Sequence, residues 1–193
     1  GGLNISNDNK LAVFATDSVS RRQYFLRIKN LETGEIYKDI IENTTGGSVW
    51  ANDNKTIFYT KKNSETLRSE KIFRHVLGTP TSEDVEVFHE KDDTFGTYVT
   101  KSKSKEYIII GSYSTVSTES QYLDANNPTG IFTLIQPRER DLEYDVSHFG
   151  DHFYMLTNKD NATNFKLMKT PVTKTGKENW VDVIPHREDT LLE

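Results

Sequence analysis

The sequence predicts an all-β chain folded as a β-propeller fragment, about four consecutive four-stranded antiparallel blades, on three observations. The first is a recurring turn-then-strand unit. Ser6-Asn7-Asp8-Asn9-Lys10 leads into Leu11-Ala12-Val13-Phe14-Ala15, and Ala51-Asn52-Asp53-Asn54-Lys55 leads into Thr56-Ile57-Phe58-Tyr59-Thr60. Weaker copies are Lys103-Ser104-Lys105-Glu106 before Tyr107-Ile108-Ile109-Ile110, and Phe149-Gly150-Asp151-His152 before Phe153-Tyr154-Met155-Leu156. The second is the period: taking Lys10, Lys55, Lys105 and Asp151 as equivalent gives spacings of 45, 50 and 46 residues, the length of a four-stranded blade. The third is that only short β-branched and aromatic runs lie within each period, with no sustained helical periodicity.

Each period resolves into strands a to d, counted outward from the propeller axis. In the first unit, b is Leu11 to Thr16, c is Tyr24 to Asn30 and d is Ile36 to Ile41, with Leu31-Glu32-Thr33-Gly34-Glu35 as the c–d turn. The second reads Ser48 to Ala51, Thr56 to Lys61, Glu70 to Leu77 and Asp84 to His89. The third reads Thr97 to Thr100, Glu106 to Ser112, Gln121 to Asp124 and Ile131 to Gln136. The fourth reads Leu142 to Ser147, His152 to Thr157, Phe165 to Thr170 and Trp180 to Ile184. The approximate blade boundaries are therefore 3–43, 44–90, 96–137 and 141–186 within a partial propeller over 1–193. Asn-Asp-Asn-Lys suits the a–b turn, because Asn and Asp bond nearby backbone and tolerate left-handed dihedrals.

Composition narrows function. Lys+Arg of 24 against Asp+Glu of 29 gives a net charge of −5 without a basic face, which argues against nucleic acid. No run approaches the roughly 18–20 apolar residues that cross a bilayer, and Gly1-Gly2-Leu3-Asn4-Ile5 lacks a signal pattern. A soluble chain with no membrane partner is expected. The absence of cysteine excludes disulfides, thiolate sites and a Cys nucleophile, but leaves cytoplasm and periplasm equally open. A start within a strand and without Met points to a fragment of a longer polypeptide.

Catalytic patterns are missing. Gly46-Gly47-Ser48-Val49-Trp50 has the wrong spacing for a nucleophile elbow. His75, His89, His148, His152 and His186 show no metal-ligand spacing, and the glycines form no phosphate loop. Nothing calls for a cofactor. The pairs Asp92 with Asp93 and Glu139 with Asp141 read as surface charge. The b–c and d-to-a connections are long and charged: Asp17 to Gln23, Lys62 to Ser69, Lys91 to Phe95, Ser114 to Glu119 and Pro137 to Asp141. In an up-and-down blade they share one face, where a rigid scaffold can carry function, although plain solvated connections would look the same.

The segments Asp17-Ser18-Val19-Ser20-Arg21-Arg22-Gln23-Tyr24, Val49-Trp50-Ala51-Asn52-Asp53, Glu90-Lys91-Asp92-Asp93-Thr94-Phe95, Pro137-Arg138-Glu139-Arg140 and Ile184-Pro185-His186-Arg187 resemble the propeller of the oligopeptidase B branch of the prolyl oligopeptidase family. The likeness runs from Ser6 to the last residues. It implies a seven-bladed propeller set over an α/β-hydrolase domain carrying a Ser, Asp and His triad, with that domain and about three blades lying outside this chain. It further implies a parent enzyme that cleaves short peptides after Arg or Lys, gated by size at the propeller. None of that chemistry maps to a residue here. If the architecture holds, Arg21, Arg22, Asp92, Asp93, Arg138 and Arg140 line the domain boundary or substrate path, or else they satisfy local carboxylates. The alternative is a propeller used as an interaction scaffold without peptidase activity. Unsealed edge strands in the first and last blades leave self-association open.

Overall fold

The computed structural model describes residues 2–18 and 20–193; Gly1, and Val19 of the first b–c connection, lie outside the described residues. Strands β1 (Leu3–Ile5), β2 (Leu11–Thr16), β3 (Tyr24–Asn30) and the outer half of β4 (Ile36–Trp50) form the first blade. The inner half of β4 with β5 (Thr56–Lys62), β6 (Ser69–Val76) and β7 (Val85–His89) forms the second. The third is β8 (Gly96–Lys101), β9 (Tyr107–Tyr113), β10 (Thr118–Asp124) and β11 (Thr133–Gln136). The fourth is β12 (Tyr144–Phe149), β13 (His152–Thr157), β14 (Lys166–Pro171) and β15 (Val181–Ile184). All neighbouring strands pair antiparallel, so the β-propeller blades expected from the repeat are present.

Three details differ from the sequence reading. Ile36 to Ile41 and Ser48 to Ala51 are not separate strands: β4 runs unbroken through both, and the first two blades share one seven-stranded sheet. Thr44 pairs with Tyr24 on one side and with Lys61 on the other, which is where the strand passes from one blade to the next. The bend rests on Asn43 and Gly46, both at positive φ, and a Cβ at Gly46 would sit 3.2 Å from the Tyr24 ring, so glycine alone fits comfortably. Second, β10 begins at Thr118, which shortens the third b–c loop to 114–117. Third, the a–b turns put Asn9, Asn54, Lys105 and Gly150 at positive φ. Lys105 is thus the equivalent of Asn9 and Asn54, one position earlier in the unit than its sequence pairing with Lys10 and Lys55.

The apolar core lies in the seams between blades. Leu11, Val13, Leu26, Ile28 and Ile41 of the first blade pack on Trp50, Ile57 and Tyr59 of the second. Val49, Phe58 and Ile72 of the second pack on Val99, Ile108, Ile110 and Leu123 of the third. Ile135 joins Leu142, Tyr144, Phe153, Met155, Met168 and Trp180 across the last seam. Strand β5 shows the logic. Because successive side chains alternate faces, Ile57 and Tyr59 serve one seam and Phe58 the other, and Thr56 to Thr60 are all buried.

The a–b turns are stitched together on one face. Asn52 accepts a bond from Asn7 Nδ2 in the first blade and donates to Lys105 O at 3.0 Å and Asn126 Oδ1 at 2.9 Å in the third. Lys101 Nζ donates to Asn7 Oδ1, Trp50 O and Asn52 Oδ1 at 3.2, 2.8 and 2.7 Å. In the third blade Tyr98 lies across Gly111, where a Cβ would come within 2.4 Å of its ring, so this cross-strand pair admits no side chain at Gly111.

Phe58 is fully buried and meets Phe132 edge-on at 5.8 Å. Phe58→Ala should lower unfolding free energy by about 3–5 kcal/mol through lost transfer and cavity terms. Phe149→Ala, at a side chain 76% exposed, should stay within about 0.5 kcal/mol. Urea unfolding of both variants reads the contrast, and equal losses would contradict cores confined to the seams.

Candidate functional site

The b–c and d-to-a connections gather on the face opposite the stitched turns, and hydrogen bonds chain them from blade to blade. Lys62 Nζ donates to Arg22 O at 2.7 Å, tying the second blade to the first. Asp141 N donates to Ser117 Oγ at 3.2 Å, and Glu143 N donates to Asn158 Oδ1 at 2.9 Å, continuing across the third and fourth blades.

At the centre lies Glu90, 3% exposed at the end of β7. Arg138, arriving on the connection between the third and fourth blades, donates to both its oxygens, Nη1 to Oε1 at 3.3 Å and Nη2 to Oε2 at 2.7 Å. The same Nη2 reaches Glu119 Oε1 at 3.0 Å, and the Arg138 backbone N–H reaches Glu119 Oε2 at 2.9 Å. Its guanidinium lies 4.0 Å from the centre of the Phe95 ring, a cation–π stack. Arg68 braces the loop from beneath, donating to the Glu90, Asp92 and Phe95 carbonyls and to Glu70 Oε2. Burial alone would raise the Glu90 carboxyl, but bonds from Arg138, Ser112 and the Asp92 N–H outweigh it and hold the pKa below the usual range. Desolvation likewise pulls against the Arg138 charge, and its bonds to Glu90 and Glu119 overrule it, leaving its pKa raised.

Of the six residues singled out from the sequence, Arg138 and Asp92 are the pair brought within ion-pair reach of each other, at 3.9 Å. Asp92 is exposed; bonds from the Thr94 hydroxyl and N–H lower its pKa. Asp93 and Arg140 are exposed, Arg140 lying 3.7 Å from Asp141. Arg21 and Arg22 are exposed too, with their backbone N–H groups turned to Asp17. Sequence reasoning missed Glu90, Arg68 and Glu119. The available signal was Glu90, first residue of a segment already singled out, but its partners come from three different connections. A cleft of about 400 Å³ opens beside the cluster, bounded by Phe95, Ser114, Val116, Ser117, Arg138 and Arg140.

The cluster fixes loop positions and presents charge through its carboxylates and guanidiniums, and the Ser112 and Thr94 hydroxyls donate to Glu90 and Asp92 and help hold those carboxylates in place. A serine–histidine contact does occur on the other face, Ser104 Oγ to His148 Nδ1 at 2.8 Å. The Glu106 carboxylate stands near that same Nδ1, at 4.0 Å. Buried Nε2 has no hydrogen-bond partner, and the ring packs edge-on against Tyr107 and Phe153. A triad needs the acid on the ring nitrogen away from the serine, so this pair is structural. Among the described residues no group of three or more His, Asp or Glu is gathered to hold a metal ion, and no helix is long and apolar enough to cross a membrane.

A family model described as the N-terminal β-propeller domain of prolyl oligopeptidase matches residues 1–193. Dipeptidyl aminopeptidase BI of Pseudoxanthomonas mexicana is 43% identical over 193 residues, covering 100% of this chain and 27% of that protein. Protease 2 of Moraxella lacunata is 30% identical over 191 residues, covering 98% and 27%. The solved structure of oligopeptidase B from Leishmania major superposes with a TM-score of 0.92 at 29% identity, covering 100% of this chain and 27% of that one. The chain therefore spans about a quarter of the length of these relatives.

Removing Arg138 strands a buried carboxylate. Arg138→Ala should cost about 1.5–3 kcal/mol, the range for a hydrogen bond to a charged group, whereas Arg140→Ala should cost almost nothing. Adding Glu90→Gln to Arg138→Ala should recover part of the loss, because the uncompensated charge is gone. A carboxyl held low in the folded state adds stability above its unfolded pKa and loses it as pH falls through the folded value. Thermal unfolding between neutral and acid pH should therefore show a smaller acid-side drop in the double variant than in the parent chain.

Proposed function

Because the chain belongs to the prolyl oligopeptidase family, as its N-terminal β-propeller domain, we propose that it is the non-catalytic propeller segment of a serine oligopeptidase, set over an α/β-hydrolase domain and screening short peptides by size. The observation that carries the reading is that the superposition on a solved oligopeptidase B takes in all of this chain and only a fraction of that one. The crowded connection face supplies the physical basis: its loops are locked to one another by Glu90, Arg138 and Arg68, so it offers a second domain a preformed charged surface. Arg21, Arg22, Asp92, Asp93 and Arg140, exposed on those connections, are the candidates for contact with that domain or with passing peptide, while Arg138 holds the surface in shape.

For the parent enzyme the reading is cleavage of short peptides after Arg or Lys, which the likeness to oligopeptidase B supports. The higher identity to a dipeptidyl aminopeptidase supports a second reading, release of dipeptides from an amino terminus. Both keep the propeller free of catalytic groups.

Two chromogenic substrates separate these readings, an N-blocked peptide ending in Arg and a free dipeptide carrying the same leaving group. Turnover of the blocked peptide by this chain joined to its hydrolase domain, with none by the 193-residue chain alone, is the expected result. Turnover of the free dipeptide only would select the second reading. Activity in the isolated chain would overturn the non-catalytic assignment, and activity in neither would favour an interaction scaffold. In the joined enzyme, the double reversal Arg21→Glu with Arg22→Glu should change kcat/KM or domain closure, and unchanged kinetics and closure would remove those residues from the interface.

A further inference from the structure

His75 sits on β6 with a fully buried side chain, and each ring nitrogen faces a carboxylate oxygen. Nδ1 lies 2.7 Å from Asp84 Oδ1, and Nε2 lies 3.1 Å from Asp39 Oδ2. The two carboxylates are nearly as buried, at 2% and 9% side-chain exposure. A neutral imidazole carries one N–H and would turn a lone pair toward one of these anions, whereas an imidazolium donates to both. Asp84 Oδ2 accepts the Tyr59 hydroxyl at 2.9 Å, and Asp39 Oδ2 accepts the Gly78 N–H at 2.6 Å.

The partners come from different parts of the fold. Asp39 is on the outer half of β4, in the first blade; His75 and Tyr59 are on β6 and β5 of the second; Asp84 closes the second blade's c–d turn, residues 77–84. We propose that His75 is a proton-operated latch that holds this turn against the outer strand of the first blade, and that loss of one ring proton releases it.

The charges account for the direction. Asp39 from β4, Asp84 from the turn and, through Asp84, Tyr59 from β5 are the titratable groups that face the ring. Desolvation disfavours the imidazolium, but the bonds and charges of Asp84 and Asp39 prevail and raise its pKa above the ordinary value. When the proton leaves for solvent, Nδ1–H stays with Asp84, the shorter contact, and Nε2 presents a lone pair to Asp39. Asp39 then has one donor fewer and its anion faces that lone pair, so repulsion moves the carboxylate off the ring and strains the Gly78 N–H bond held on the same oxygen. A cleft of about 370 Å³ lined by Lys38, Asp39, Ile40, Gly78, Pro80 and Thr81 already opens at this spot, so release widens an existing gap. A histidine with a raised folded pKa adds stability that is complete below the unfolded value of about 6.5 and lost as pH rises through the folded value. The latch is therefore closed on the acid side and opens on the alkaline side.

The test uses the 193-residue chain. Ring nitrogen shifts of His75 should report two protons near pH 6.5 and one at alkaline pH. Over the same step the Gly78 amide should lose protection from hydrogen exchange, after division by the intrinsic base-catalysed rate. Asp39→Asn, which keeps shape and removes charge, should move the step to lower pH, and His75→Gln should abolish it. A neutral ring at pH 6.5, a ring still doubly protonated at pH 10, or flat Gly78 protection across the titration would each overturn the latch. All three are read in the unsubstituted chain, so they decide the matter even where a variant fails to fold.

Discussion

A four-stranded antiparallel sheet has two faces and, within a propeller, both are covered by neighbouring sheets, so burial between blades is the constraint from which the rest of this chain follows. It explains why β5 reads as an unbroken buried run, Thr56 to Thr60, where a sheet with one wet face would alternate. It explains why Ile57 and Phe58, adjacent in sequence, belong to different cores. It also dictates where polar groups have to be matched. A hydrogen-bonding group that reaches a seam is cut off from water and costs stability unless it finds a partner there; His148 Nε2, set among aromatic rings, is one that does not.

The seams resolve that demand differently at their two ends. On the connection face the solution is ionic: Arg138 crosses from one connection to a carboxylate at the foot of another blade, and Arg68 caps three carbonyls of the intervening loop. On the turn face it is largely neutral, with Asn7, Asn52 and Asn126 bridging successive turns. Lys101 sets one ammonium among those amides, and His75 lies between two carboxylates. Arginine is suited to the first setting because its fork meets a carboxylate along two parallel bonds and keeps its charge at any ordinary pH. Histidine is suited to the second only while it is protonated, which makes the two clamps unequal in their response to pH.

Much of the architecture was legible in the sequence because blades repeat and their turns require particular residues. Asn9 and Asn54 occupy left-handed positions that Asn tolerates, and the strands beginning at Leu11, Tyr24 and Thr56 start where the pattern places them. The third unit blurred the register because Lys105 takes the same left-handed conformation without any residue type to announce it. The join at β4 was hidden too: one strand was expected to end at Ile41 and the next to begin at Ser48, and a strand that bends without breaking uses the same residues as one that stops. At the connection face, loop length and charge directed attention to the right side of the blades. The partner of Arg138 is 48 positions away, however, and nothing periodic links an arginine in one connection to a glutamate ending another blade's outer strand. His75 was passed over for a related reason. A lone histidine on a strand looks ordinary until the topology brings an aspartate from each side.

The unbroken β4 also bears on how such a chain could gain or lose units over evolution. Between β7 and β8, and between β11 and β12, the chain crosses from blade to blade through a connection without strand structure, so excising or duplicating one unit there would cut no ladder. The first two blades are joined instead by a single 15-residue strand in which Thr44, one past the middle, pairs in both directions. A genetic break at that point would unpair the outer edge of the first blade and the inner edge of the second at once. These two blades would be inherited together, as one module twice the length of the visible repeat.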